Sequence, residues 1–177
     1  MTGAFGLAAG GLAAGGLALV ATLATAAAAR PAPVATATLD ATATAITVTG
    51  RGGQRTYRPE TAGDTFGPPR LSPDRRTVGW TVLRVAGATY AAPISLEFRV
   101  GGRRRGFVCD GGVPQAWRFA GNRHAVVDCA FPHGDAQRRR VLVDIATAHV
   151  DATVAMPADG PAPAAAPPWA RPDLPVP

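Results

Sequence analysis

The 177 residues contain no lysine; all eighteen basic side chains are arginine. That choice, together with the heavy use of Ala and Gly, marks a GC-rich coding sequence. Serine is almost as scarce. Ser72 and Ser95 are the only two, and neither lies in a G-x-S-x-G turn, which argues against a serine nucleophile. Ser72 reads as the first residue of a Ser-Pro-Asp turn and Ser95 as an outward strand position. Two cysteines, Cys109 and Cys129, exclude a C-x-x-C redox motif and fall short of a zinc set. No helix-length periodic run follows residue 30, which removes helical bundles and α/β folds from consideration. Aromatics make up 6% of the chain, and none interleaves with the arginine runs, so single-stranded nucleic acid is a disfavoured partner.

What is present begins with an apolar segment. Residues 4–29 carry no charge, and Ala27-Ala28-Ala29 offers an A-x-A cleavage site before Arg30-Pro31. The segment reads as a signal peptide. The alternative is an uncleaved inner-membrane anchor, since 26 uncharged residues suffice to cross a bilayer of about 30 Å, although Ala and Gly make a weak span. The positive region that normally precedes such a segment is missing, which suggests a start further upstream. At the other end, residues 157–177 hold eight prolines in 21 positions and read as a disordered Pro/Ala-rich tail, with Trp169 either docked or presented to a partner. The expected plan is a signal peptide 1–29, a flexible lead-in 30–41, a β domain 42–156 and the tail 157–177.

Between these ends the pattern is one of strands. Thr44–Thr49, Gln54–Arg58, Thr77–Val85, Ile94–Val100, Arg105–Cys109, Ala116–Phe119, His124–Phe131, Arg139–Ala146 and His149–Ala155 are separated by Gly-, Pro- and Asp-rich turns. In Ile94–Val100 the residues Ile94, Leu96, Phe98 and Val100 share one face, as a half-buried antiparallel strand requires. The fold class is therefore all-β: antiparallel meander sheets forming a small β-sandwich or partial barrel.

The run Leu71-Ser-Pro-Asp-Arg-Arg-Thr-Val-Gly-Trp80 resembles the turn and strand of TolB-type β-propeller repeats, with Arg75 where that pattern has Gly. About 45 residues on, Ala116–Val127 resembles the opening of a second repeat. The resemblance implies two blade-like sheets. These are too few to close a propeller ring of four to eight blades, so either the two sheets pack face to face or subunits associate; the first is expected, because a lone domain can satisfy it.

Cys109 and Cys129 sit 20 residues apart on two expected strands and read as a structural disulfide. Closing that loop stabilises a fold by about 3 kcal/mol in the chain-entropy model. His124, His133 and His149 match no ligand spacing, although Asp135 stands where it would orient His133. Asp110, Asp128 and Asp144 lie in or beside strands, with nothing tying two of them to one site. The polar feature that stands out is a pair of triplets, Arg103-Arg104-Arg105 and Arg138-Arg139-Arg140, each opening a strand after a glycine-containing loop. Loops projecting from one end would gather six guanidiniums into an anion-binding edge. The bland alternative is that these arginines guard strand edges and solubility.

The net charge of +6 favours anionic surfaces. The sequence thus describes a periplasmic or secreted β-rich protein that binds or scaffolds. Its rivals are an anion-binding cell-envelope protein and a hydrolase whose residues meet only in three dimensions. No cofactor or metal is expected. The sequence names no partner; an envelope protein or an anionic glycan or lipid is the candidate class, and no stable membrane span is expected after processing.

Overall fold

Alternating apolar and polar residues settle into strands because a pleated chain turns successive side chains to opposite faces. The computed structural model describes residues 32–86, 90–130, 138–157 and 160–171. The signal segment, His133, Asp135 and residues 172–177 lie outside them. The strands are β1 (Val34–Leu39), β2 (Ile46–Gly50), β3 (Gly53–Tyr57), β4 (Asp64–Phe66), β5 (Arg70–Leu71), β6 (Thr77–Ala86), β7 (Tyr90–Val100), β8 (Arg103–Phe107), β9 (Val113–Ala120), β10 (His124–Ala130), β11 (Arg138–Asp144) and β12 (His149–Met156). No α-helix occurs among the described residues; one 3-10 turn covers Pro168–Ala170. No helix there is long and apolar enough to cross a membrane.

All pairings are antiparallel, and the strands divide into three sheets, none of them closed. The first is β1-β2-β3, the central one β4-β6-β7-β8 with β5 added beside β6, and the last β9-β10-β11-β12. The register of β6 and β7 sets the stacking. Trp80 stands opposite Glu97 and Gly79 opposite Phe98, so the two faces of the central sheet carry different residues. Val78, Trp80 and Val82 pack with Ile46 and with Ala37, Leu39, Val48 and Tyr57 of the first sheet. Leu96 and Phe98 pack with Trp117, Ala125, Val127, Val141 and Val143 of the last. The expected all-β, face-to-face packing is thus a stack of three layers.

Both large indoles are satisfied inside it. Trp80 Nε1 donates to Glu97 at 2.9 Å and Trp117 Nε1 to Thr81 Oγ1 at 3.2 Å. Cys109, just past β8, is disulfide-bonded to Cys129 on β10, with Cα atoms 5.7 Å apart. The bridge joins the central sheet to the last.

Two segments differ from the sequence reading. The lead-in, taken as flexible, contains β1. Ala37 and Leu39 face the core, and β1 pairs with β2 along its length apart from one bulge. Part of the tail is packed rather than loose. Ala166 and Ala170 are buried, and Trp169 lies against Ala116, Val126 and Leu142 on the outer face of the last sheet. Arg118 Nη2 donates to Trp169 O at 2.9 Å and Arg140 Nη1 to Ala170 O at 2.6 Å, which gives those chain carbonyls charged donors.

Candidate anion site

The two arginine triplets do not form one edge. Consecutive residues of a strand point to opposite faces, so each triplet is split by its own pleat. Arg104 turns to the face of Glu97 and pairs with it, and also with Glu60 at 3.0 Å. Arg103 is exposed, and Arg105 Nε donates to Ala146 O at 2.9 Å. Arg140 meets Asp128 through Nε at 2.6 Å and Nη2 at 2.8 Å, and Arg138 Nη2 reaches the same carboxylate at 3.0 Å. Arg139, on the opposite face, donates to Asp110 O at 3.0 Å. Position separates the triplets further. Arg105 touches the chain just beyond the end of β11, whereas Arg138–Arg140 begin that strand, and seven residues of strand span about 20 Å. The guanidiniums of the second triplet serve the fold: they hold Asp128, the loop after β8 and the tail.

His124, His149, Asp144 and Asp151 gather at one end of the last sheet, away from Asp128 and Asp110. His124 Nε2 lies 2.9 Å from Asp151 Oδ2, and Asp144 stands across the strand pair from both His124 and His149. His124, Asp144 and Asp151 offer ligand atoms within 4.8 Å of one another. Asp144 is already occupied, however. It accepts from Arg123 Nε at 2.7 Å and from the Ala146 and Thr147 amides at 2.9 and 3.1 Å. The Arg123 hydrogen bond holds the Asp144 carboxyl below its ordinary value of 3.8, aided by those amides, against the opposing effect of burial. Turn geometry accounts for the placement of Asp144, while His124 and Asp151 pair with one another between β10 and β12. Ser72 is likewise a turn residue, its Oγ donating to Asp74 at 2.7 Å.

A different set of arginines comes together between the first and central sheets. The alternation of β3 puts Tyr57 and the exposed Arg55 on one face, opposite Ile46 and Val48. Arg99 of β7 shares the Glu97 and Trp80 face and so points toward the same layer. Arg51 comes from the β2–β3 turn and Arg76 from the residue before β6. With the Gly50–Gly53 and Gly101–Gly102 turns they line a cavity of about 330 Å³, with Pro33, Val34, Val48 and Val78 as its apolar wall. Among the described residues no Asp or Glu lines it. The Arg99 guanidinium lies over the Tyr57 ring, 4.4 Å from its centre, and Tyr57 stacks in turn on Trp80 at 5.5 Å. Arg99 Nη2 donates to Gly102 O, but its buried Nε–H has no acceptor. The rim is open at the β2–β3 turn, where a Cβ on Gly52 or Gly53 would meet nothing within 4 Å. A second recess of about 240 Å³ beside Cys129 carries Asp110 as well as Arg139, so it lacks this one-sided charge.

The sequence reading passed over these four arginines because they come from four separate stretches and form no run. One local signal existed: in Arg51-Gly-Gly-Gln-Arg55, strand alternation after the glycine turn puts Arg55 on the same face as Tyr57.

The arrangement is that of an all-β protein with a cationic recess between two of its layers. Comparison of the chain with protein-family models, with curated proteins and with solved structures returns no match.

Proposed function

We propose that the protein is an exported binding module that takes an anionic ligand in the cavity between its first and central sheets. The observation that carries this reading is four arginines lining one cavity, with no carboxylate in the lining among the described residues. Like charges held together in a recess lower their energy by taking up an anion, and guanidinium matches carboxylate and phosphate through two parallel hydrogen bonds. Export is supported by the apolar segment at residues 4–29 and by the disulfide, a bond that persists in oxidising compartments. The likeness to TolB-type repeats belongs to the same proposal. Its support is that Leu71–Trp80 and Ala116–Val127 each lie early in an antiparallel meander sheet. Arg75, where that pattern has Gly, takes a left-handed φ of 56°, a conformation glycine favours.

Titration calorimetry with phosphate, sulfate, acetate and glucuronate tests the reading. Binding is expected to weaken as salt is raised. It should fall about tenfold or more in Arg51→Ala/Arg55→Ala, the loss of one to two charge-assisted hydrogen bonds. The exposed Arg103→Ala variant should bind as the parent does. Absence of binding to every anion, or equal affinity in the double variant, would overturn it.

A further inference from the structure

Resting on the anion reading above, we infer that the cavity is built for a dianionic phosphate monoester with a small, partly apolar body, and that it discriminates against carboxylates. Charge is the first argument. Four arginines and no carboxylate among the described residues line one volume, so a dianion offsets more of that charge than a monoanion does, even with Asp74 acting on Arg76 from outside the lining. Donor count is the second. A carboxylate is filled by two arginine forks, whereas a phosphate monoester presents three terminal oxygens and two negative charges. Arg51, Arg55 and Arg76 make no ion pair with a carboxylate among the described residues, and Arg99 keeps an Nε–H without an acceptor. Size is the third. At about 30 Å³ for each water in the liquid, the cavity holds the equivalent of about eleven waters, more than a phosphate group alone requires. The Pro33, Val34, Val48 and Val78 wall is left for the carbon skeleton of the ester.

The charge state of the ligand then controls binding. The titratable side chains facing the cavity from β2, β3, β6, β7 and their turns are Arg51, Arg55, Arg76, Arg99 and Tyr57, with no histidine or carboxylate among the described residues. Residue types that titrate near neutrality are therefore missing from the lining, and the group that titrates there is the ester, whose second pKa is about 6. Protonation of the ester as pH falls removes one of its two charges.

The probes are glucose 6-phosphate, glucuronate and glucose 6-sulfate, titrated into the full chain by calorimetry at about pH 7.5 and about pH 5. The expected result is binding of glucose 6-phosphate that weakens about tenfold at the lower pH, following the loss of the dianion. Glucuronate and the singly charged sulfate ester should bind about tenfold more weakly at the higher pH and show no such pH dependence. Arg76→Ala should bring glucose 6-phosphate down to the level of the monoanions, while Arg51→Ala, an exposed position, provides a check that does not depend on folding. Equal, pH-independent affinity for all three probes would overturn the phosphate inference and leave the anion reading standing. Failure of every probe to bind would remove both.

Discussion

At the scale of single residues, the tightest constraint is Gly79. A Cβ there would lie 2.8 Å from the Trp117 ring and 2.9 Å from the Phe98 ring. Both rings belong to the cluster that joins the central and last sheets, so neither can withdraw without opening the core. Gly79→Ala is accordingly expected to destabilise the fold by about 1–3 kcal/mol, read from the urea midpoint; an unchanged midpoint would show that the indole yields. In Thr77–Val85 this glycine looks like any glycine in a strand. Its necessity arises from a tryptophan 38 positions away, and no local pattern carries that information. The cavity arginines were hidden for the same reason. Arg51, Arg55, Arg76 and Arg99 converge only after two sheets have packed, whereas the conspicuous triplets were divided by the pleat. Arg75 shows what a side chain adds at a glycine-favouring backbone: its Nε donates to Val34 O at 3.1 Å and fastens β1 to the central sheet.

At the scale of elements, the strands that were legible are those with clear alternation or nearly continuous apolar residues, such as Ile94–Val100 and His124–Phe131. The ones that escaped notice are β1, β4 and β5. The last two are three and two residues long, and β1 is built from Ala and Thr with Leu39 as its one large inward anchor. Proline and alanine argue for an open chain, but here a single 3-10 turn lays Trp169 on an apolar patch and supplies carbonyl acceptors to Arg118 and Arg140. Truncation after Pro157 removes both acceptors and uncovers Val126. The midpoint of urea unfolding should fall by the equivalent of about 1–3 kcal/mol for the acceptors alone. A truncated chain with the parent's midpoint would show the tail to be an ornament.

At the scale of the whole molecule, the all-β class could be read from the sequence because it depends on local period. The three-layer order could not, because it depends on which face of the central sheet meets which neighbour. The disulfide bears on this level, since it links two layers rather than two strands of one. Reduction, or Cys109→Ser with Cys129→Ser, is expected to cost about 3 kcal/mol by releasing a loop of that size in the unfolded chain. Comparing denaturation midpoints with and without reductant measures it, and coincident midpoints would refute it.

The order of the strands has one more consequence, which concerns time. Each layer is made of consecutive segments joined by short turns, so most pairings are local and can form as the chain becomes available. The first layer needs nothing that lies downstream to pair its strands, while the segment that covers the last layer, residues 166–170, emerges from a ribosome only after every strand it covers. A nascent chain would therefore carry one bare apolar face until that segment arrives, and that interval is when a chaperone or a second chain has its best opportunity to bind.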